Sequence, residues 1–361
     1  MRDLLVLLFV AAVTTSLFVQ WIIPAREAAR RDACQAKMKA VAVGLNSYAD
    51  AFRAYPMAAP SCTTDAWHST GIAKGQVCVG PNWAAQILGQ MDEMPLAKMI
   101  GKAVYVAEIS LVDFSGAQLG DAVPEFMSCP SALKAGKLHE SERTALRNLA
   151  KGNYAAPVGT STYLHSIELN KFVGERLPAE FDPASTHGIM TIRMIAAWAT
   201  KYESRATSSS GLWKCAYGKG VKRDQITDGL SHTVLLSEVL PFDTAKATSD
   251  DIRGVWVAAS MGASTYSHAT TPNSTTPDRV NGCDAAATGR MKCIEIPPGT
   301  PEEGDTFAAA RSSHQGGVNV VFADGSSRFY TDQVDPRIWK ALATRAGGET
   351  HSPADIRGPG Q

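Results

Sequence analysis

Leu4–Ile23 is a run of twenty residues whose apolar character is broken only by Thr14, Thr15, Ser16 and Gln20. That is long enough to cross a bilayer as a helix. Beyond Pro24 the helical pattern continues, because Ala25–Arg31 is rich in strong helix formers. Cys34, Met38, Val41, Leu45, Tyr48 and Phe52 then recur at spacings of four and three, which makes one apolar seam on a helix. Lys37, Lys39, Asn46 and Asp50 fall mostly off that seam. Tyr55-Pro56 ends the run, since a residue before proline is pushed out of the helical region. The pattern predicts one helix of about fifty residues, on the order of 75 Å long. Its first half would sit in lipid and its second half on a folded domain. A cleaved signal peptide has a shorter apolar core leading directly into the mature domain. Here the helical pattern runs on through Arg26–Asp50, so a retained anchor is expected. A kink at Pro24 is tolerable in a membrane helix.

Downstream the pattern weakens. Residues 57–125 are irregular, with short helices expected at Asn82–Leu88 and Met94–Ile100 and a strand at Lys102–Asp113. Glu140–Lys151 is polar and predicts a solvated helix; Thr186–Tyr202 predicts a strand running into a helix. From residue 206 the pattern turns to β. Asp228-Gly229 is a turn dipeptide, and Thr233–Leu236 predicts a buried strand ending at Glu238. Arg253–Val257 predicts another strand. Ser264–Val280, rich in Ser, Thr, Pro and Asn, predicts a long exposed loop carrying a glycosylation sequon at Asn273. Val318–Ala323, then Asp324-Gly325, then Ser326–Tyr330 predicts a β-hairpin with a tight primed turn. Asp335 is placed to cap a short helix with Pro336 in its first turn, and Gly347-Gly348 to stop it. The tail from Thr350 is expected to be loose. No internal repeat is visible.

The chain has 361 residues, with 35 Lys+Arg against 35 Asp+Glu. That balance argues against nucleic acid as the main partner, because phosphate binding needs a basic footprint. Arg26, Arg30 and Arg31 form a local basic cluster just past the apolar run, and the positive-inside rule would hold the large domain in the cytoplasm. The seven cysteines point the other way. Cys62 and Cys78 bracket one polar loop, Cys283 and Cys293 another, and loop-closing pairs fit an oxidising compartment. Cys34, Cys129 and Cys215 are expected to be unpaired or to share one bond. There is no Cys-x-x-Cys and no His at zinc-finger spacing, which argues against a structural zinc site.

His314 and Asp324 invite a catalytic-dyad reading, but the residues between them form an extended strand. Its length, roughly 20 Å at about 3.3 Å per residue, is far beyond the about 3 Å a dyad needs. His314 is therefore expected to be structural, bonded to nearby backbone, and Asp324 to be a turn residue. No phosphate loop, dinucleotide fingerprint, zincin helix or nucleophile elbow is present. No catalytic residue, metal ligand or cofactor site is assigned, and no enzymatic activity is expected.

Three ordered blocks carry a resemblance. Pro24–Arg31 with Cys34–Asp50 and Pro56 is the first, and Ile226–Glu238 with Asp228, Gly229 and Glu238 is the second. His314, nine residues, then Asp324-Gly325 is the third. Together they resemble a prepilin-like bacterial family, domain of unknown function 1559, which is similar at its N-terminus to type II secretion pseudopilins. The resemblance implies a pilin-like α+β fold, with a long N-terminal transmembrane and stalk helix on an antiparallel sheet carrying large loop insertions. It divides the chain into an anchor (1–24), an amphipathic stalk (25–56), an extracytoplasmic domain (57–349, with the motif hairpin and helix at 311–349) and a tail (350–361). Pseudopilins sometimes bind calcium near turns, where Asp228, Asp324 and Asp332 stand here, so the resemblance leaves calcium as a candidate ligand, although no loop carries the cluster of Asp and Asn that calcium prefers. One departure is that Asp3 stands where prepilins have Glu, without the preceding Gly at which their peptidase cuts. Two functions follow as expectations. One is a single-pass membrane protein that assembles through its helix with itself or similar subunits at a secretion or pilus-like machine. The other is a solitary anchored module binding a solute or glycan on loops such as 264–280.

Overall fold

The computed structural model describes residues 2–61, 82–98, 122–132, 138–139, 149–162, 167–169, 186–194, 220–242, 248–249, 251–258, 260–296 and 305–349. Within the N-terminal helix, side chains are described from Ile22 onward and at Asp3, Leu4, Phe9 and Thr14. The strand expected at Lys102–Asp113, the loop bracketed by Cys62 and Cys78, Cys215 and the tail lie outside the described residues.

The fold is α+β. Helix α1 runs unbroken over Arg2–Phe52, with Pro24 inside it. The strands in chain order are β1 (Ala59–Ser61), β2 (Leu138–His139), β3 (Tyr154–Pro157), β4 (Ile167–Leu169), β5 (Ile192–Met194) and β6 (Val234–Glu238). They continue with β7 (Thr248–Ser249), β8 (Thr265–Tyr266), β9 (Asp278–Val280), β10 (Cys293–Glu295), β11 (Gly317–Phe322) and β12 (Ser327–Thr331). The main sheet is five-stranded, ordered β12-β11-β6-β3-β8. Its first three pairings are antiparallel, and β3–β8 is parallel.

The sheet is covered on both faces, and the period of two along β11 divides the labour. Val318, Val320 and Phe322 join Tyr330, Tyr266, Trp339 and Leu342 in a core beneath the C-terminal helix Pro336–Ala341. Asn319 and Val321 face the other way, toward α1. On that side the seam is buried as its spacing requires: Cys34, Met38, Val41, Leu45 and Tyr48 are fully enclosed, while Val43 is 68% exposed. The neighbouring strand alternates likewise. Ser327 meets Gln35, and Phe329 lies under the Arg31 guanidinium at 4.9 Å.

Helix and strand run the same way along each other. Glu27 pairs with His314, Gln35 with Asn319, and Asn46 donates to the Ala323 carbonyl. Nineteen helical residues from Glu27 to Asn46 advance about 28 Å, and the turn at Gln315-Gly316, the six residues of β11 and Ala323 run beside them. His314 and Asp324 therefore mark opposite ends of the helix–strand contact.

Several expectations change. The helix closes at Phe52 rather than at Tyr55, because Arg53 takes a left-handed conformation (φ 62°) that ends it. The hairpin between β11 and β12 is wider than a two-residue primed turn: only Gly325 has positive φ (85°), and Phe322 donates to Ser326. Arg253–Val257 is not a strand. Gly254 turns the chain at φ 83°, and only Val255 bridges, to Lys151. Leu149, Ala150 and Lys151, expected in a solvated helix, are buried. The C-terminal helix stops at Ala341, well before Gly347-Gly348.

The largest correction is Ser264–Val280, which is mostly enclosed rather than an exposed loop: Ser264–His268, Pro272, Asn273, Asp278 and Val280 are buried, and Thr275 and Thr276 are exposed. Many of its polar groups find partners inside the protein, though the Thr270 hydroxyl is buried without one among the described residues. Asn273 donates to the Gly317 carbonyl and to Asp332, which removes it as a glycosylation acceptor in the folded chain. Arg311, buried, donates to the Ser274 and Thr276 carbonyls and grips Asp278. Arg253 bridges Asp278 and Asp251 beside it. Four buried charges thus neutralise one another where isolated ones would be costly. Buried His268 stacks on Trp339 and bonds Tyr266, and its pKa is pushed down to about 3, by burial first, so it stays neutral.

Among the described residues no helix is long and apolar enough to cross a membrane. Most side chains of Leu4–Trp21 lie outside those residues, and the anchor expectation rests on them.

The seam makes a direct prediction. Leu45→Ala should cost about 2–5 kcal/mol, as buried leucine truncations do, while Val43→Ala on the opposite face should stay within about 0.5 kcal/mol. Urea unfolding of both variants measures the contrast, and equal effects would remove the seam from the core.

Candidate functional site: a histidine between two carboxylates beside a disulfide

The motif residues do three different things. Asp324 closes the hairpin loop, accepting from the Ser326 backbone and hydroxyl. Asp228 pins the segment after the C-terminal helix, accepting from the Gly347 and Gly348 N–H groups and from Thr344. Gly229 turns the chain beside it at φ 98°. These three, with Gly325, build turns and clamps. Glu238 and His314 meet elsewhere, under α1.

His314 is 1% exposed. Its Nδ1 lies 2.7 Å from Glu27 and its Nε2 3.1 Å from Glu238. The expected backbone partners of the ring are thus replaced by two carboxylates from opposite sides. Carboxylates only accept, so both contacts require both ring nitrogens to carry protons. Burial by itself would depress the His314 pKa; hydrogen bonds to Glu238 and Glu27 and their charges outweigh it and raise it. Burial alone would raise the Glu27 pKa, but hydrogen bonds to His314 and Arg30 and their charges together outweigh it and hold it below the usual value. Arg30, half exposed, pairs with Glu27 at 3.0 Å. A chain of alternating charge, Arg30–Glu27–His314–Glu238, thus leads from solvent to the interior.

Glu238 ends β6, with Tyr154 opposite on β3 and Asn319 beside it on β11. The Asn319 backbone and side-chain N–H groups donate to it at 2.8 and 3.3 Å, and Asn319 in turn accepts from Gln35. Burial, and then the Glu238 charge, keep the Tyr154 hydroxyl protonated far into alkaline pH. Cys34 of α1 and Cys129 are joined by a disulfide against this group. The Cys129 sulfur is 3.8 Å from His314 Nε2 and 3.7 Å from Glu238 Oε1. Cys283 and Cys293 form a second disulfide next to Arg253.

Sequence reasoning missed Glu27. It stands seven residues, two helical turns, before Cys34 on the same seam. A carboxylate extending an apolar face was the available signal.

The sequence profile described as protein of unknown function (DUF1559) matches residues 24–337. The chain belongs to that family. The match spans Glu27, both members of the Cys34–Cys129 pair, Glu238 and His314. No curated protein and no solved structure matches the chain.

The charge chain sets a pH dependence. The His314 pKa is raised from 6.5, so its contribution to stability is full below 6.5 and is lost as pH rises through the raised value. The Glu27 pKa is lowered from 4.5, so its contribution is present above 4.5 and is lost as pH falls through the lowered value. His314→Gln should therefore lower the thermal midpoint most between 4.5 and 6.5, with a gap that narrows at alkaline pH. A gap that ignores pH would contradict the ion-paired imidazolium.

Proposed function

We propose that this protein is a membrane-anchored, extracytoplasmic structural subunit of pilin-like build, associating through its N-terminal helix with copies of itself or similar subunits. The observation that carries this is the division of α1. It is one helix from Arg2 to Phe52; among the described residues its side-chain bonds to the body of the protein start at Glu27, and the described side chains before it are exposed. The part before Glu27 leads into the apolar run Leu4–Ile23, long enough to span lipid, and exposes Phe9, Ile22 and Ile23. A helix rigidly held at one end and apolar at the other suits lateral packing of subunits in and just above a bilayer. Cys34–Cys129 and Cys283–Cys293 fit an oxidising compartment, against the orientation favoured by Arg26, Arg30 and Arg31.

A structural rather than enzymatic role is favoured by the state of His314. With both nitrogens donating to carboxylates, it has no lone pair with which to act as a base. A solute- or glycan-binding role on 264–280 is less favoured, because much of that segment is buried and only Thr275 and Thr276 are exposed. Among the described tryptophans of the folded part, Trp83, Trp256 and Trp339 are enclosed in the core and offer no sugar platform.

A photocrosslinking amino acid at exposed Ala29, on the first docked turn of α1, tests the proposal in membranes. Ladders of the chain with itself or with similar subunits are expected. Uncrosslinked monomer in the membrane fraction, or recovery of the protein outside that fraction, would overturn it.

A further inference from the structure

We propose that the Cys34–Cys129 disulfide masks a zinc site: when it is reduced, Cys34, Cys129, Glu238 and His314 bind one Zn²⁺. The ligand atoms of these four buried residues already lie within 4.8 Å of one another. No spacing along the chain announces the site, because its ligands come from α1, a loop, the end of β6 and the segment before β11. Two thiolates, an imidazole and a carboxylate form a donor set suited to tetrahedral zinc.

The geometry supports a tetrahedron more closely than clustering alone. Cys129 Sγ, His314 Nε2 and Glu238 Oε1 are separated by 3.8, 3.7 and 3.1 Å. Zinc–ligand bonds of about 2.0–2.3 Å at tetrahedral angles place such atoms about 3.3–3.6 Å apart. These three atoms thus outline one face of the coordination shell. Opening the disulfide frees Cys34 to swing to the fourth corner.

The surroundings are those of a metal site as well. Zinc-bound histidines usually present their second nitrogen to a carboxylate, which fixes the tautomer. Glu27 holds Nδ1 in this way, leaving Nε2 for the metal. The Asn319 N–H groups hold the Glu238 carboxylate in place.

The conversion balances with a dithiol as reductant. Its thiolate attacks a sulfur of the pair, the second thiol completes the exchange, and the dithiol leaves as a disulfide. Two electrons and two protons pass to Cys34 and Cys129. On binding, Zn²⁺ displaces both thiol protons and the proton on His314 Nε2. Disulfide and metal are alternative occupants of one place, and each ties α1 to the body of the protein. The inference does not depend on the structural-subunit proposal.

Co²⁺, which replaces zinc and reports thiolate ligation by colour, is the probe. The full-length chain is titrated before and after reduction with a dithiol that is then removed without air. Expected are a thiolate-to-cobalt charge-transfer band and tetrahedral d–d bands in the reduced chain, and neither in the oxidised chain. Affinity should fall about 10–100-fold in Glu27→Gln, which acts through the imidazole, and at least as far in Glu238→Gln and His314→Gln. Cys283→Ser, at the other disulfide, should leave the spectrum unchanged. A reduced chain that unfolds but refolds when Zn²⁺ is added also supports the site. A reduced chain that stays unfolded with Zn²⁺, shows no charge-transfer band, or binds equally well in His314→Gln overturns it. So does equal binding by the oxidised chain.

Discussion

A helix advances about 1.5 Å per residue and a strand about 3.3 Å, so one can be laid along the other in register only at chosen points. This protein fixes α1 to β11 at three such points. Glu27 pairs with His314 at one end, Gln35 with Asn319 in the middle, and Asn46 with the Ala323 carbonyl at the other. Between them the apolar seam fills the gap, and Cys34–Cys129 covalently closes it. His314 and the Asp324 turn thus stand at the two ends of about five helical turns of α1. The two residues need no direct contact to belong to one constraint.

Around that contact, electrostatics is arranged so that buried charge is always answered. Glu238 is met by the Asn319 N–H groups and by His314, His314 by Glu27, and Glu27 by Arg30. A second neutral set, Asp251, Arg253, Asp278 and Arg311, fastens the polar segment 264–280 inside the protein. Removing one member of either set would strand its partner in a low-dielectric interior, and that is the costly change.

What was legible in the sequence was periodic or stereochemically special. The seam from Cys34 to Phe52, the strand ending at Glu238, the 318–330 hairpin and the Asp335 cap each carry a local signature, and each is present. What was not legible depends on distant partners. Ser264–Val280 has the composition of a solvent-facing loop, and its burial depends on partners outside it, such as Arg253, Arg311 and Asp332. The bonds of His314 could not be foreseen either, since Glu27 and Glu238 lie hundreds and tens of residues away. The same holds for the pairing of Cys34 with Cys129. Glu27 alone left a trace, as an acid on an apolar face.

Helix α1 is one helix in two regimes: from Glu27 onward it is an integral part of the sheet's cooperative unit, and the described side chains before Glu27 are exposed. Amide hydrogen exchange along α1 tests this directly. The amides of Cys34 to Tyr48 are expected to exchange as slowly as those of β6 and β11, by the same opening. Exchange of Cys34 to Tyr48 well before those strands would show a helix merely resting on the sheet, and would contradict a shared cooperative unit.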